Sequence, residues 1–233
     1  MPSFNHYSEH FASAAAAAAY VKKFESSIDF MRHEIELQLI SKYAHGALFD
    51  CSIATGRLVG LLKKVTSYSG MDYSEPFLSY IHANYPELEV KWGDLTKNIQ
   101  KPDGAYDTVL CLRTLFALGG VDKILAEMVR ITKSSGTIIF DYGVKAHDVN
   151  FGGALIHTSK FDIEMLLKKL PVTLVDTISL DSPIIKLKNV RIARKLISIV
   201  AKSKTLFKWI VRIEQRAASI SAERCLYILR KNG

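Results

Sequence analysis

The segment from residue 47 to residue 57 constrains the fold of this chain more than any other. It reads Ala-Leu-Phe-Asp-Cys-Ser-Ile-Ala-Thr-Gly-Arg, so an apolar strand meets an acid and then a turn of small residues. Small side chains let a backbone approach a ligand closely, and the apolar residues of 58–62 predict a helix whose first N–H groups point into the same space. The segment therefore predicts a ligand-binding loop between a strand and a helix.

This loop does not fit a dinucleotide fingerprint, because G-x-G-x-x-G needs three glycines and only Gly56 is present. Residues 50–57 instead resemble the first motif of class I S-adenosylmethionine-dependent methyltransferases, D-x-(G/A)-x-G-T-G-R. The resemblance implies a fold, an activity and a cofactor, S-adenosyl-L-methionine (SAM). It also implies that the loop binds SAM through Asp50, Ser52, Ala54 and Gly56.

Four later segments resemble the remaining motifs of that family, in the family's order: Gly70-Met71-Asp72-Tyr73-Ser74, residues 90–95, residues 107–112 and residues 128–140. Asp72 follows the first motif by roughly twenty residues, the spacing at which nucleotide-binding βαβ units present an acid to ribose hydroxyls. The resemblance implies that Asp94 takes the adenine amino group. It adds Tyr73, Leu95 and Leu112 to the predicted cofactor-binding residues.

The family pattern is broken at Ser52, at Ala54 and in the turn at residues 133–136, and the change at Ser52 is the milder one in the loop. Ala54 stands where relatives most often carry Gly, and a residue with positive φ disfavours Ala by roughly 1 kcal/mol. The loop has therefore either shifted or tolerates one methyl group. Lys133-Ser134-Ser135-Gly136 replaces the family's Pro-Gly-Gly turn, a change that we expect to be neutral because the turn is structural.

The predicted fold is an α/β Rossmann-like class I methyltransferase fold, a mostly parallel seven-stranded sheet with an antiparallel edge strand and helices on both faces. A length of 233 residues, 48% of them hydrophobic, agrees with one folded domain. Within it we expect a helical amino-terminal arm at 1–44, a Rossmann-like core at 45–180, a basic helical insertion or lid at 181–221 and a final edge strand at 222–233.

The amino-terminal arm contains an uninterrupted alanine run at 14–19, which favours a helix. In the resembled family such arms often lie over the cofactor, so Tyr20 and Arg32 are candidates for contacts near the sulfonium and the methionine carboxylate. The alternative is a plain helix of high propensity.

The late insertion is strongly basic. Between residues 186 and 212 no acid occurs, and the basic residues are Lys186, Lys188, Arg191, Arg194, Lys195, Lys202, Lys204, Lys208 and Arg212. Apolar residues at helical spacing predict an amphipathic helix or helix pair. Four interpretations stay open: a lid with solvated lysines, a peripheral contact with an anionic membrane or a lipid-linked substrate, a contact with RNA or another phosphorylated acceptor, and a homodimer contact. Nucleic acid is the less favoured partner, because no RNA-binding module is recognisable.

Acceptor-side candidates follow the fourth and fifth predicted strands, where the resembled family places its bases. Arg113 cannot be a base, because it stays protonated, but it can grip a carboxylate or phosphate. Asp141 is a candidate base or anchor for the acceptor. Ala117 stands about where relatives have His, and we expect His147 and His157 to be surface histidines in a loop.

The sequence thus predicts an enzyme that moves a methyl group from SAM to oxygen or nitrogen of a small-molecule acceptor, such as a sugar, a quinone-like ring or a lipid-linked metabolite. The alternatives are a non-catalytic SAM-binding scaffold and an RNA methyltransferase. No C-x-x-C pair and no zinc-like His spacing occur, so no metal is expected. No apolar run approaches the about twenty residues that cross a bilayer, so a cytoplasmic location is expected, with peripheral membrane contact as the alternative.

Overall fold

A computed structural model describes residues 11–24, 27–118, 120–143, 147–151, 154–158, 160–180 and 224–233, together with residues 206, 209, 212, 213 and 216. The predicted insertion at 181–221 therefore lies almost entirely outside the described residues. The helices are α1 Ala14–Lys23, α2 Ser27–Ile40, α3 Glu75–Asn84, α4 Val121–Ile131 and α5 Lys160–Leu167. Within the described part of the chain, no helix is both long enough and apolar enough to cross a membrane.

The strands are β1 Ala47–Asp50, β2 Ser67–Asp72, β3 Glu89–Trp92, β4 Tyr106–Cys111, β5 Thr132–Gly143, β6 His147–Phe151, β7 Ala154–Thr158, β8 Val172–Leu180 and β9 Arg224–Lys231. Seven of them form one sheet in the order β3-β2-β1-β4-β5-β9-β8, and β6 pairs with β7 in a separate antiparallel hairpin. The first five strands of the sheet run parallel, whereas β9 runs antiparallel to both β5 and β8. The predicted fold class is confirmed.

Several local features differ from the sequence prediction. The antiparallel strand β9 lies one place inside the edge, which β8 occupies. Residues 59–63 form a short 3₁₀ helix rather than a longer α-helix. Within it, Gly60 packs against Leu37, and a Cβ added at Gly60 would lie 2.9 Å from the Leu37 side chain. His147 and His157 lie in the strands of the β6–β7 hairpin, where a loop had been expected.

The alternation of side chains along β1, a central strand, explains why helices cover both faces of the sheet. Successive side chains of a strand point to opposite faces of the sheet. In β1, Leu48 is buried in the core that includes Ile40 and Leu61, whereas Phe49 is buried in the core that includes Met128. The arm and α3 therefore cover one face, and α4 covers the other.

The first residues of β5 carry backbone strain. Ser135 has a φ of +60°, in the left-handed region that favours glycine. Serine at position 135 therefore carries a backbone cost, in contrast to the neutral exchange that we expected from the sequence.

Candidate functional site

A cavity opens at the carboxyl ends of the parallel strands, where open α/β sheets bind their ligands. Loops after β1, β2, β3 and β4 form its wall, and the arm closes one side. The lining residues are Phe11, Tyr20, Cys51, Ser52, Ala54, Asp72, Tyr73, Ser74, Phe77, Gly93, Leu95, Leu112, Arg113, Thr114 and Leu118. Eight of the thirteen predicted site residues are among them: Ser52, Ala54, Asp72, Tyr73, Leu95, Leu112, Tyr20 and Arg113.

Asp72, at the end of β2, organises the cavity wall. One carboxylate oxygen accepts the backbone N–H of Ala54 at 2.8 Å, and the other accepts that of Ser74 at 2.9 Å. Burial raises the pKa of Asp72 to about 6, against the opposing effect of these backbone donors. The backbone N–H of Tyr73 also acts on this carboxylate. Since an ionised carboxylate has about four acceptor positions, Asp72 still retains capacity for a hydroxyl donor in the cavity.

The loop after β1 holds both Ala54 and Gly56 at positive φ. Ala54 has a φ of +50°, so this residue accepts the left-handed backbone and the loop has not moved to avoid it. Ala54 lines the cavity together with Ser52, another small residue. Gly56 also has a positive φ, +75°, but lies behind the cavity wall against Tyr85. The departure from glycine at position 54 therefore changes strain rather than architecture.

Asp50, the first acid of the motif, turns away from the cavity. Asp50 is only 3% exposed. Its carboxylate accepts hydrogen bonds from the hydroxyl of Tyr68 at 2.7 Å and from the backbone N–H of Ser52 at 3.1 Å. Burial raises the pKa of Asp50 to about 6. Asp50 is thus positioned to shape the loop from inside, and not to touch a ligand directly.

Asp94 also directs its carboxylate elsewhere. It accepts both the N–H and the hydroxyl of Thr96, at 2.9 and 2.7 Å, and it pairs with Lys97 at 3.6 Å. Its neighbours Gly93 and Leu95 line the cavity, whereas Asp94 itself lies outside the lining. A contact between Asp94 and a ligand therefore requires a change in the turn that Asp94 caps.

The arm contributes an aromatic wall. Tyr20 packs against Phe77 with ring centroids 5.1 Å apart, and Phe11 lies 5.2 Å from the same ring. The hydroxyl of Ser74 donates to the carbonyl of Phe11 at 2.7 Å, which ties the start of the arm to the end of β2. Arg32, the other arm candidate, lies 3.7 Å from Asp29 on its own helix and does not line the cavity.

The motif comparison did not single out Phe11 and Phe77. Ser74 is the N-cap of α3 and its side chain accepts the backbone N–H of Phe77, so an aromatic residue in the first turn after a capping serine was the available signal for Phe77.

Beside the cavity lies a buried ion-pair network, which we call the Glu36 cluster: Glu36, Arg57, Arg113, Asp141 and Arg224. Glu36 is 2% exposed and accepts from three guanidinium groups. The partners are Arg57 Nη1 at 2.5 Å, Arg113 Nη2 at 2.7 Å and Arg224 Nη2 at 2.6 Å. Burial opposes the charge of Glu36, but these guanidinium groups hold its pKa well below the ordinary value.

Sequence reasoning missed Glu36, Arg57 and Arg224, which come from α2, the loop after β1 and the start of β9. No local pattern marks three arginines that meet only after the chain has folded. Burial of Glu36 on α2 is equally invisible before that helix has packed.

Asp141 belongs to this cluster and not to the cavity wall. It is fully buried, one carboxylate oxygen accepts the backbone N–H of Arg113 at 2.7 Å, and the other accepts from Arg224. Burial raises its pKa, while Arg224 opposes that rise. The geometry places Asp141 behind Arg113, so the carboxylate does not reach a molecule in the cavity, in contrast to the base or anchor expected from the sequence.

Arg113 is the member of the Glu36 cluster that lines the cavity. Its backbone has a φ of +59°, and its side chain is 18% exposed. Ala117 lies in a 3₁₀ helix, Leu115–Ala117, and no histidine lines the cavity among the described residues. The same part of the chain offers no group of His, Cys, Asp and Glu side chains that could hold a metal ion.

Comparison with known proteins agrees with this geometry. Residues 49–140 match a family model described as a methyltransferase domain. A curated relative, a probable S-adenosylmethionine-dependent methyltransferase from Mycolicibacterium smegmatis, is 23% identical over 117 residues. That match covers 49% of this chain and 45% of the relative, so the chain matches less than half of the relative's length.

Solved structures share the fold at low identity. A SAM-dependent methyltransferase from Leishmania major superposes with a TM-score of 0.64 at 12% identity, over 97% of this chain and 80% of that one. A SAM-dependent methyltransferase from Clostridium acetobutylicum gives 0.57 at 14% identity, over 87% and 92%. The [4+2]-cyclase SpnF gives 0.60 at 14% identity, over 84% and 79%. Because one neighbour is named as a cyclase, the fold alone does not fix the reaction.

Proposed function

We propose that this chain, whose residues 49–140 match a methyltransferase-domain family model, is a class I S-adenosylmethionine-dependent methyltransferase that transfers the methyl group of SAM to a small-molecule acceptor held in the cavity. The observation that carries this proposal is the placement of Asp72. Its carboxylate is braced by two backbone N–H groups and lines the cavity at the carboxyl end of β2. Such a carboxylate suits the two hydroxyls of a ribose.

The remaining lining supports the same cofactor. Tyr20 and Phe77 present aromatic surface, and Leu95 offers an apolar contact for a base ring. Ser52 and Ala54 leave room for close approach of the backbone. When bound, SAM supplies an electrophilic methyl group on a sulfonium.

The protein mainly has to hold the methyl donor and the acceptor in line, since methyl transfer by direct displacement needs no covalent intermediate with the protein. Burial raises the pKa of Cys51 well above its ordinary value, so this cavity-lining thiol stays protonated and is not a base. Arg113 stays protonated too. Oxygen and nitrogen acceptors that are already deprotonated, or that lose their proton readily to water, therefore suit this cavity best.

Methyl transfer is tested with SAM labelled in the methyl group. The purified chain is incubated with panels of small acids, phenols, amines and sugars, and in parallel with total RNA and with lipid vesicles. The proposal expects label in at least one small molecule, and loss of that transfer in Asp72→Asn. Transfer to RNA alone, or SAM binding without transfer to any acceptor in a crude metabolite extract, would favour the RNA or scaffold alternatives and overturn the proposal.

A peripheral membrane contact through the basic segment 186–212 remains a separate proposal, and its support is the sequence alone. Charge reversal of Lys202, Lys204 and Lys208 to Glu is expected to abolish sedimentation of the chain with anionic vesicles. Absence of wild-type binding to those vesicles removes the proposal. A homodimer contact through the same segment predicts instead that the reversed chain changes its mass in sedimentation equilibrium.

A further inference from the structure

We infer that the acceptor of methyl transfer is carried by an anionic lipid surface, and that an apolar face formed by Leu206, Trp209 and Ile213 inserts into that surface. This inference rests on the proposed methyl-transfer function, because it names the class of acceptor that reaches the same cavity. Three features lead to it: exposed apolar residues at helical spacing, an excess of basic residues around them, and the place where this part of the chain joins the sheet.

The first feature is the exposed apolar face. The structure describes residues 206, 209, 212, 213 and 216 of the basic insertion, and each of them is helical. At 3.6 residues per turn, positions 206, 209 and 213 lie on one face of a helix. Leu206 is 49% exposed, Trp209 63% and Ile213 36%, and Trp209 is the most exposed large apolar residue in the described part of the chain. Large apolar residues grouped at the surface in this way mark a contact with a partner or a membrane.

The second feature is the charge around this face. Arg212 and Arg216 are exposed, and residues 186–216 contain ten basic residues against one acid, Glu214. Positive charge alone suits any anionic partner, nucleic acid included. Exposed leucine and isoleucine gain little from phosphates, whereas they and Trp209 gain from the boundary between lipid headgroups and acyl chains. The combination therefore favours a peripheral contact with anionic lipid.

The third feature is the place where the insertion joins the sheet. β8 ends at Leu180 and β9 begins at Arg224, and these two residues pair with each other. Arg224 also pairs with Gly143 at the end of β5, which runs parallel to β4. The chain therefore leaves and rejoins the sheet at the carboxyl ends of the parallel strands, where the cavity opens.

This connection links a lipid contact to the acceptor. A membrane contact of the insertion tethers the cavity edge of the sheet, and not the opposite edge, to the membrane surface. An acceptor with a lipid anchor can then place its polar group in the cavity while its apolar chain stays in the membrane, and shared attachment to one surface raises its effective concentration. A water-soluble acceptor gains nothing from such a tether, so a lipid-linked acceptor is the class that this arrangement serves.

Insertion into lipid is tested by the fluorescence of Trp209 in a Trp92→Phe variant, because these are the two tryptophans of the chain. Vesicles of phosphatidylcholine alone are compared with mixed vesicles, which contain equal parts of phosphatidylcholine and phosphatidylglycerol. Insertion predicts that the mixed vesicles shift the emission to shorter wavelengths, and that lipids brominated on their acyl chains quench it. A contact through charge alone predicts no quenching by brominated acyl chains.

A serine variant tests the apolar face directly: Leu206→Ser, Trp209→Ser and Ile213→Ser in one chain. It is expected to weaken sedimentation with the mixed vesicles at least about tenfold, since three apolar side chains lose their lipid contact. Leu174→Ser with Val175→Ser is the control. These two residues are comparably exposed but lie near the start of β8, at the end of the sheet away from the cavity, and the control is expected to bind as the wild type does.

The acceptor class is tested with SAM labelled in the methyl group. The mixed vesicles are supplemented with total lipid from the cells that make this protein, and a water-soluble extract of the same cells is assayed in parallel. Label is expected in the lipid phase. The serine variant should transfer at least about tenfold less label to these vesicles, with unchanged affinity for S-adenosylhomocysteine, because it loses the tether and not the cofactor site.

The inference is overturned if the wild type does not bind the mixed vesicles, if the serine variant binds them as tightly as the wild type, or if label enters only water-soluble molecules. It is also overturned if the serine variant changes the mass of the chain in sedimentation equilibrium without vesicles, since a second copy then covers the apolar face. Failure of the wild type to bind S-adenosylhomocysteine would instead overturn the proposed function, and the apolar face is then judged on vesicle binding alone.

Discussion

The carboxylate of Asp72 accepts the backbone N–H of Ala54 at 2.8 Å, and this hydrogen bond joins the end of β2 to the loop after β1. Ala54 makes this hydrogen bond with a backbone φ of +50°, a conformation that a residue with a Cβ disfavours. One acid therefore both lines the cavity and holds the loop in the form that leaves the cavity open. The loop's tolerance of a methyl group depends on this bond.

Replacing Ala54 with glycine is expected to raise the free energy of unfolding by about 0.5–1 kcal/mol, because relief of left-handed strain outweighs the extra freedom of the unfolded chain. Affinity for S-adenosylhomocysteine is expected to stay within about twofold, since the N–H of residue 54 remains. Urea denaturation and calorimetry measure the two quantities.

Ser135→Gly is the matched control for that change. Ser135 has a similar φ of +60° but lies near the start of β5 and does not line the cavity. It is expected to stabilise the fold by a similar amount with no effect on affinity. Destabilisation by Ala54→Gly alongside stabilisation by Ser135→Gly would show that the methyl group of Ala54 makes a contact that outweighs its strain.

Cofactor affinity is expected to fall as the solution is acidified. The pKa of Asp72 is raised to about 6, so the free protein protonates this carboxyl below pH 6 and loses acceptor capacity for hydroxyls. Affinity for S-adenosylhomocysteine should drop by about tenfold from pH 7 to pH 5. Asp72→Asn should bind weakly and show no such dependence. A wild-type affinity that is flat over this range would contradict the assigned role of Asp72.

Asp50→Asn is expected to affect stability and not binding. The pKa of Asp50 is raised from 3.8 to about 6 on folding, so this group favours the folded state below pH 3.8 and loses that contribution as the pH rises through 6. Asparagine at position 50 should therefore flatten the change in unfolding free energy between these values. The drop in cofactor affinity on acidification should persist in this variant.

Glu36→Gln is expected to destabilise the fold by about 3–5 kcal/mol, because it leaves Arg57, Arg113 and Arg224 buried with less counter-charge. Glu34→Gln, on the same helix, is expected to cost less than about 1 kcal/mol. Thermal and urea unfolding of both variants provide the comparison. Equal, small losses in the two variants would mean that Glu36 is not the centre of the cluster.

Tyr20→Leu is expected to weaken binding of S-adenosylhomocysteine by up to about tenfold, since it removes aromatic contacts with Phe11 and Phe77 on the cavity wall. Tyr80→Leu perturbs the other side of the arm, where Tyr80 lines a groove with Ala14 and Ala18, and should leave affinity unchanged. A similar loss in both variants would indicate that the arm acts through its general packing.

The order of the motifs was enough to predict the fold and the cavity wall, because the first four motifs reach the carboxyl ends of parallel strands and those ends meet at one edge of the sheet. Asp72 and Ala54 could be placed in this way. Asp50 and Asp141 could not be told apart from ligand-facing acids, because both also lie near the carboxyl ends of buried strands. Their direction is set by Tyr68 and Arg224, which reach them only in the folded chain.

Long-range charge pairing was the other hidden feature. Glu36 and Arg224 are 188 positions apart in sequence, and their contact depends on β9 lying beside β5. Sequence spacing gave Arg113 as a candidate grip for an anion but not the residues that hold it. A motif locates a strand end, whereas the partners that orient a charged side chain come from elsewhere in the fold.

The most direct test of this account is calorimetric titration of the wild type, Asp72→Asn and Asp50→Asn with S-adenosylhomocysteine at pH 7.5. The account predicts micromolar binding by the wild type, at least about tenfold weaker binding by Asp72→Asn, and near wild-type affinity in Asp50→Asn once it is shown to be folded. Equal affinities in the wild type and Asp72→Asn, or no binding by the folded wild type, would contradict it.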